Sequence, residues 1–287
     1  MRLRTLPLSE AGVVLGMLLA LQKAGISFLT GMFLILTTAL LQILSNLSNE
    51  LGDTLHGTDT DERQGIRYSL QDGEMTVPQM KRLIATVCCL CCVSGLLMIW
   101  FSFASLFDAA PIALVALGIA ANWAAINYTL GSRPYGYRGL GDIFVFIFFG
   151  IVSVGGSYFV CSHELDGIIL LPAAAIGFFS VAVLNVNNIR DMKTDMATRT
   201  TIAIKMGEKR ARIYQTVLVS LGWLLMILFT ALTAHSLKAW IYVITIPLFA
   251  LHLRGVWTRR DRELDSMLPL LVMSTFLTSL LLGFGLL

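Results

Sequence analysis

The chain has 287 residues, of which 56% are hydrophobic and 14% are charged, and its mean hydropathy is +0.76. A soluble domain carries about 25% charged residues, so this composition excludes a soluble globular protein and indicates one that lies in a membrane. The net charge of +3 is spread through the loops and gives no indication of nucleic-acid binding. Long apolar runs without strict alternation favour transmembrane helices over a β-barrel.

Nine hydrophobic segments of about 17 to 23 residues follow one another along the chain, each long enough to cross a hydrocarbon core about 30 Å thick. They cover residues 7–22, 27–47, 83–105, 110–130, 141–161, 167–187, 213–233, 237–254 and 267–286. The sequence therefore predicts a single all-α domain over residues 1–287. It would be a polytopic membrane protein with about nine transmembrane helices around a central cavity.

The Lys and Arg residues indicate which loops face the cytoplasm, because cytoplasmic loops carry an excess of positive charge. With nine helices, 19 of the 21 basic residues fall on one side of the membrane, and only Lys23 and Lys238 fall on the other. The N-terminus is therefore predicted to be cytoplasmic and the C-terminus external. The two long loops, about residues 48–82 and 189–212, share the cytoplasmic side, so we expect the active site there.

A first group of polar residues ends the second hydrophobic segment. Asn46, Asn49 and Asp53 are spaced i, i+3, i+7 and so lie on one face of a helix. Glu50 lies beside them, and Asp59 follows after two glycines. A second group ends the sixth segment, where Asn188, Asp191 and Asp195 repeat the same spacing. The likeness of the two groups suggests that they face each other as parts of one site.

Carboxylates placed together repel each other unless a cation lies between them. Mg²⁺ is a suitable cation, because it prefers oxygen ligands and is commonly completed by waters and substrate phosphates. The acids expected to bind a diphosphate through Mg²⁺ are Asp53, Asp59, Asp191 and Asp195, with Asn49 and Asn188 as weaker, water-mediated partners. The basic side chains expected to hold phosphate oxygens are Arg63, Arg190, Lys193 and Lys205. A site that opens into lipid predicts a diphosphate ester with a long apolar tail. The alternative is that these polar residues cap helices or solvate loops.

Three stretches carry a resemblance to a known family: LLQILSNLSNELGDTLHGTD, YTLGSRPYGYRGLGDIFVFIFFG and LNVNNIRDMKTD. With TLPL near the start, the whole chain resembles the UbiA-type intramembrane prenyltransferases, whose hallmark is two Asp-rich motifs on cytoplasmic loops. Within that family it is similar to the members that act on 1,4-dihydroxy-2-naphthoate in menaquinone biosynthesis. Two positions depart from the family pattern. Glu50 stands where the family commonly has Asp, and Arg199 stands where many members have Lys.

The resemblance implies a multi-pass enzyme of the bacterial cytoplasmic (inner) membrane. It implies that a polyprenyl diphosphate binds with Mg²⁺, that its allylic carbon–oxygen bond ionises, and that 1,4-dihydroxy-2-naphthoate attacks the cation. Loss of CO₂ then gives demethylmenaquinol. The physical chemistry agrees, because metal and guanidinium charges stabilise the negative charge that develops on the leaving diphosphate.

The resemblance also implies that the loop between the fourth and fifth segments helps to bind both substrates. Aromatic rings can face an allylic cation, and the candidates are Tyr128, Tyr135 and Tyr137, although each is equally consistent with an interfacial tyrosine. Arg133 and Arg138 are expected to meet the naphthoate carboxylate. Asp142 would orient one of these arginines or act as a base.

Two other functions are consistent with parts of this sequence. The first is prenyl transfer to another aromatic acceptor such as 4-hydroxybenzoate, against which the stretch RPYGYRGLGD favours the naphthoate. The second, more distant, is a membrane transporter with acidic ion ligands. A transporter of that kind needs ionisable groups at membrane depth, and the segment centres carry almost none.

Overall fold

The computed structural model describes residues 5–57, 69–70 and 72–287, and throughout these ranges the regular structure is helical. Within these ranges, nine helices of 16 or more residues form the bundle: α1 Leu6–Leu21, α2 Phe28–Leu55, α3 Val77–Phe103, α4 Ala109–Asn127, α5 Gly141–Ser162, α6 Gly167–Arg190, α7 Glu208–Thr233, α8 Leu237–Thr258 and α9 Asp261–Leu286. Eight of them are long and apolar enough to cross a membrane, and α1 is a shorter apolar helix of 16 residues. The predicted all-α membrane fold is confirmed within the described residues.

Several helices are longer than the hydrophobic segments that marked them. The second segment was predicted to end at residue 47, but α2 continues to Leu55, and α6 continues to Arg190. Hydropathy marks only the part of a helix that lies in hydrocarbon, whereas backbone hydrogen bonding continues through polar residues beyond it. The polar groups of residues 46–53 therefore lie on the last turns of α2, and the predicted start of the following loop was too early.

Glycines allow α1 to pack closely on the middle of the bundle. A Cβ atom at Gly16 would lie 2.4 Å from the carbonyl oxygen of Val154 on α5, a distance that no side chain could occupy. On α5 itself, Phe146–Gly156 is a π-helix, a form that is rare and often found at functional sites. Helix α1 also packs on α2 and α9, so it contacts both the second and the last helix of the bundle.

A chain of buried polar side chains joins α6 to α9. The Asn185 amide donates to Gln215 Oε1 (2.8 Å), and the Gln215 amide lies 3.0 Å from His252 Nε2. The other ring nitrogen of His252 lies 3.0 Å from the carbonyl oxygen of Met267. Because buried polar groups in a membrane need partners, this chain fixes how the four helices sit against one another.

The two ends of the bundle differ in charge. At one end, Lys23 pairs with Glu164 (3.2 Å) and Asp166 (3.0 Å), and its hydrogen bond lowers the pKa of Asp166 below the ordinary value. The carbonyl oxygen of Lys238 lies at the same end, beside Gly285 near the last residue. The opposite end of the bundle carries the two groups of polar residues singled out in the sequence, at the ends of α2 and α6. Between the ends lies a cavity of about 460 Å³ lined mainly by apolar side chains, as expected for a central cavity.

Candidate active site

The last two turns of α2 present a carboxylate and an amide to the interior. Asn49 and Asp53 are one turn apart and both line a small cavity of about 70 Å³. Asp53 is 1% exposed, and Tyr137 donates its hydroxyl proton to Asp53 Oδ1 at 2.8 Å. A carboxylate this deeply buried needs charged or hydrogen-bonding partners, and Tyr137 supplies one of them.

The C-terminal end of α6 and the single helical turn after it present two more carboxylates. Asp191 is the residue that ends the helix, and Asp195 ends the single helical turn Met192–Asp195 that follows. Both are buried, at 1% and 0% exposure. Asn188 lies one turn earlier and lines the same small cavity as Asn49. The spacing i, i+3, i+7 thus places its three side chains at one site.

Arg199 joins the two groups of acids. Its guanidinium lies 2.6 Å from Asp195 Oδ2 and 3.8 Å from Asp53 Oδ1, and its side chain is 7% exposed. Burial disfavours the charged form of Arg199, but the charges of Asp195 and Asp53 outweigh this and raise its pKa above the ordinary value. The arginine is therefore a permanent cation between carboxylates from opposite sides of the site. It also lies 5.8 Å from the centre of the Tyr137 ring.

Arg190 occupies a second position between acids. It binds Asp191 Oδ2 at 2.6 Å and Asp265 Oδ1 at 2.5 Å, and it donates to the side-chain oxygen of Asn187 at 2.8 Å. Arg190, Asn187 and Asp265 all line the polar end of the large cavity. The large cavity and the small one also share wall residues: Asn49, Asn187, Tyr128 and Leu184. The polar site therefore lies directly at one end of an apolar chamber.

The donor chemistry of this site fits a hard divalent cation. Its buried side chains offer carboxylate and amide oxygens, which are the ligands that Mg²⁺ prefers. Mg²⁺ also keeps several waters and usually completes its shell with substrate phosphates. Within residues 5–57, 69–70 and 72–287, no three acidic, His or Cys side chains stand close enough to hold a metal ion by themselves.

Arg199 and Asp265 were not among the residues predicted for the site. Arg199 was noted only as a departure from the family pattern, although its i+4 spacing from Asp195 is the spacing of a helical ion pair. That signal could have identified it. Asp265 lies 75 residues along the chain from Arg190. Nothing in the local sequence pairs these two, and only the packing of α9 on α6 does so.

Glu50 has a contact that explains its longer side chain. It is 4% exposed, and its Oε1 accepts a hydrogen bond from the backbone N–H of Leu70 at 3.1 Å. Leu70 lies in the connection between α2 and α3. Glu50 thus joins the acidic end of α2 to that connection. The other predicted residues of this region, Asp59 and Arg63, lie outside the described residues.

The connection between α4 and α5 packs against the acids. Tyr135–Arg138 forms a 3₁₀ turn, and the carbonyl oxygen of Tyr137 accepts a hydrogen bond from the backbone N–H of Thr200 at 3.0 Å. Tyr135 and Tyr128 line the large cavity. The hydroxyl of Tyr135 donates to the carbonyl oxygen of Ala124 at 2.8 Å, which leaves its ring to form the cavity wall. The structure thus brings all three predicted tyrosines to the site.

Other predicted residues lie farther out. Arg133, Arg138 and Lys205 are exposed, and among the described residues none of the three lines either cavity. Lys193 is 75% exposed and pairs with Asp261 at 3.0 Å. Asp142 is buried and accepts a hydrogen bond from the Tyr214 hydroxyl at 3.0 Å, and not from an arginine.

Gly52 sets how closely α2 approaches the α4–α5 connection. A Cβ atom at this position would lie 2.6 Å from the carbonyl oxygen and from the side chain of Thr129, which is itself 1% exposed. We expect Gly52→Ala to move Asp53 away from Arg199. Because a displacement of about 1 Å in a positioned group can slow an enzyme about 10²-fold, we expect kcat/KM to fall by about that factor. The control is Gly95→Ala on α3, where a Cβ would meet only Thr37 at 3.8 Å. Equal activity of the two variants would show that this close approach does not position Asp53.

Comparison with known proteins gives one consistent result. Residues 11–280 match the UbiA prenyltransferase family. The chain is 38% identical to the 1,4-dihydroxy-2-naphthoate octaprenyltransferase of Escherichia coli (strain K12), over 99% of this chain and 92% of that protein. The apo structure of a UbiA homolog from Aeropyrum pernix K1 has the same fold, with a TM-score of 0.73 at 16% identity, covering 99% of this chain and 98% of that one. A UbiA homolog from Archaeoglobus fulgidus bound to GPP and Mg²⁺ superposes with a TM-score of 0.63 at 15% identity, covering 98% of both chains.

Proposed function

The chain belongs to the UbiA prenyltransferase family, and from this premise we propose that it prenylates 1,4-dihydroxy-2-naphthoate. In this reaction the carbon–oxygen bond of a polyprenyl diphosphate breaks and diphosphate leaves. A carbon–carbon bond to the naphthoate ring forms, and the carboxylate departs as CO₂, which gives demethylmenaquinol. The observation that carries the proposal is the meeting of the acidic ends of α2 and α6 with two largely buried arginines at one end of an apolar cavity.

The buried charges suit the departure of diphosphate. Arg199 and Arg190 are held in place by acids, so they present fixed positive charge without reorganising when negative charge develops. Asp53, Asp191 and Asp195 would hold Mg²⁺, with Asn49 and Asn188 acting through water. When bound, this ion neutralises phosphate oxygens and so favours cleavage of the bond to the prenyl carbon. The UbiA homolog from Archaeoglobus fulgidus that is bound to GPP and Mg²⁺ supports the choice of this metal.

The cavity walls suit the prenyl group. Tyr135 stacks on Phe144 with ring centres 3.9 Å apart, and both rings line the cavity next to the polar end. Aromatic faces attract a nearby cation, and a water-poor wall protects a reactive allylic cation from hydrolysis. Burial raises the pKa of Tyr135, so its phenol stays neutral. Tyr128, which lines both cavities, stands at the place where the prenyl carbon and the diphosphate would meet.

The carboxylate of the acceptor needs a positive partner that the diphosphate does not occupy. We propose Arg138 or Arg133 for this role. Their loop packs on the segment that carries Arg199, where the Thr200 N–H donates to the Tyr137 carbonyl oxygen. Gly139 of the same loop lies against Lys205, because a Cβ atom there would be 3.2 Å from Lys205 Nζ. A guanidinium binds a carboxylate with two parallel hydrogen bonds, which an ammonium group cannot reproduce. Arg138→Lys is therefore expected to raise the KM for the naphthoate far more than the KM for the prenyl diphosphate.

Steady-state kinetics with each substrate varied in turn would measure the two KM values separately. Arg190→Lys provides the comparison, because Arg190 lines the polar end of the large cavity. This variant is expected to raise the KM for the prenyl diphosphate more than the KM for the naphthoate. Equal changes in both KM values for Arg138→Lys, or no change in either, would mean that this loop does not choose the acceptor.

The chain is a multi-span membrane protein, and we propose that its polar end faces the cytoplasm of a bacterium, with the N-terminus on that side. The 19-to-2 division of basic residues supports this orientation. Single cysteines at positions 23 and 138 in an otherwise cysteine-free variant are expected to react with a membrane-impermeant reagent from opposite sides. The protein has five native cysteines to replace first. Labelling of both positions from the same side would contradict the proposed topology.

Identification of the product tests the proposed function. Membranes that contain the protein would be supplied with labelled polyprenyl diphosphate, Mg²⁺ and either 1,4-dihydroxy-2-naphthoate or 4-hydroxybenzoate. We expect a prenylated, decarboxylated naphthoquinol from the first acceptor and little product from the second. Prenylated 4-hydroxybenzoate as the main product would favour the other aromatic acceptor. No product from either acceptor, in membranes shown to contain folded protein, would contradict prenyl transfer.

A further inference from the structure

Two glycines face the apolar cavity with empty space in front of them. Gly118 on α4 and Gly156 on α5 both line the cavity. A Cβ atom at Gly118 would meet no atom within 4 Å, and one at Gly156 would meet only a methyl group of Val152 at 3.8 Å. In contrast, glycines at helix contacts in this bundle, such as Gly16 and Gly150, would place a Cβ within 3.0 Å of another helix. Close packing therefore does not require glycine at positions 118 and 156.

The two glycines lie at different depths from the acids. Gly118 is ten residues before Tyr128, which marks the polar end, so it lies about 15 Å along α4. On α5, a Cβ at Gly141 would lie 3.1 Å from the Tyr128 hydroxyl, so Gly141 is level with the polar end. Gly156 is fifteen residues farther on and lies roughly 20 Å away. A tail that starts at the acids would pass Gly118 first and Gly156 later.

The two glycines lie on the two helices that line one side of the cavity. Helix α4 packs on α2 and α3, whereas α5 packs mainly on α1 and α6, and its last turns also contact α2 and α3. A ring contact bridges α4 and α5 near the polar end, with the Trp123 and Phe144 centres 6.4 Å apart. Both glycines lie farther from the acids than this contact does, and both line the cavity there. Neither position carries a side chain that would take up cavity space.

From this arrangement we propose that Gly118 and Gly156 determine how long a prenyl tail the site accepts. The absence of side chains leaves a path for hydrocarbon between α4 and α5, and a side chain at either position would fill that path. This inference rests on the proposed function, since it assigns the tail of the donor to the far part of the cavity. It adds that tail length is selected at these two positions and that the position nearer the acids has the larger effect.

The test replaces each glycine with leucine and compares donors of different length. Purified Gly118→Leu, Gly156→Leu and wild-type protein in lipid nanodiscs would be titrated with geranyl diphosphate, whose tail is too short to reach either glycine, and with octaprenyl diphosphate, with Mg²⁺ and without acceptor. We expect the affinity ratio of long to short donor to fall about tenfold in Gly156→Leu and further in Gly118→Leu. Affinity for the short donor should change less than affinity for the long one.

Gly155 provides a matched control on the same helix. A Cβ at Gly155 would also meet no atom within 4 Å, but Gly155 is not among the residues that line the cavity. Gly155→Leu should therefore leave the ratio unchanged. An unchanged ratio in both cavity variants, or the same change in Gly155→Leu, would overturn the inference.

Two features of the experiment separate its possible outcomes: a folding check on each variant and a binding measurement that needs no acceptor. A graded series, Gly→Ala, Gly→Val and Gly→Leu, would be checked by thermal unfolding, so that a variant which fails to fold is replaced by the next smaller one. Binding is measured without acceptor, so failure of the inference is distinct from failure of the proposed function. If wild-type protein binds neither donor, the proposed function fails; if it binds both and the glycine variants leave the ratio unchanged, only the inference fails.

Discussion

Asp191→Asn is expected to lower kcat/KM by about 10²–10³-fold, because a single well-placed electrostatic group commonly has an effect of that size on rate. The substitution keeps the shape of the side chain and removes its charge. Asp191 is 1% exposed and binds Arg190 through both carboxylate oxygens. Loss of the charge would remove a proposed ligand of the metal and weaken the contacts that hold Arg190 at the polar end of the large cavity. Saturating Mg²⁺ should not restore the rate.

The matched control is Asp261→Asn. Asp261 is 41% exposed and pairs with Lys193 on the surface near the same end of the bundle. Its φ of 48° lies in the left-handed region, which Asn tolerates well. We expect activity within about twofold of wild type, because exposed ion pairs contribute little. Near-normal turnover in Asp191→Asn, or a similar loss in both variants, would contradict the role assigned to Asp191.

Arg199→Leu is expected to lower the free energy of unfolding by about 3–5 kcal/mol, the usual effect of breaking a buried ion pair by removal of one partner. The leucine would leave Asp53 and Asp195 buried without the cation between them. Mg²⁺ can occupy oxygen-rich sites between carboxylates, so we expect added Mg²⁺ to recover more stability in Arg199→Leu than in wild type. Thermal unfolding in detergent, with Mg²⁺ and with a chelator, would measure both effects.

Two variants control this experiment. Arg199→Lys keeps the positive charge between the two carboxylates and is expected to retain most of the stability. Arg254→Leu removes an exposed arginine of α8 and should change stability by less than about 0.5 kcal/mol. If Arg199→Leu unfolds at the same temperature as wild type, the guanidinium does not hold the two acidic groups together.

The fold is predictable from the sequence because its main signals are local. A hydrophobic segment either is or is not long enough to cross a bilayer, and each of the nine segments corresponds to a helix in the described residues. The spacing i, i+3, i+7 likewise predicts from the sequence alone that Asn188, Asp191 and Asp195 share one face. Local signals determine which residues share a face. They do not determine what lies opposite that face.

The missed features all depend on contacts between distant parts of the chain. Asp265 reaches Arg190 only because α9 packs on α6, and Tyr214 reaches Asp142 only because α7 lies beside α5. The exposure of Arg133 and Arg138 depends in the same way on how their loop packs against the chain near Thr200. No periodicity in the sequence carries that information. The predicted roles of these two arginines stay predictions that kinetics will decide.

The metal dependence of donor binding tests the proposed site most directly. Purified protein in nanodiscs would be titrated with geranylgeranyl diphosphate in the presence of Mg²⁺ and, separately, of a chelator, together with the variant Asp53→Asn. We expect wild-type protein to bind the donor at least about tenfold more tightly with Mg²⁺, and Asp53→Asn to lose this difference. Equally tight binding with and without Mg²⁺, in wild type and variant alike, would contradict the claim that the two groups of acids hold the diphosphate through the metal.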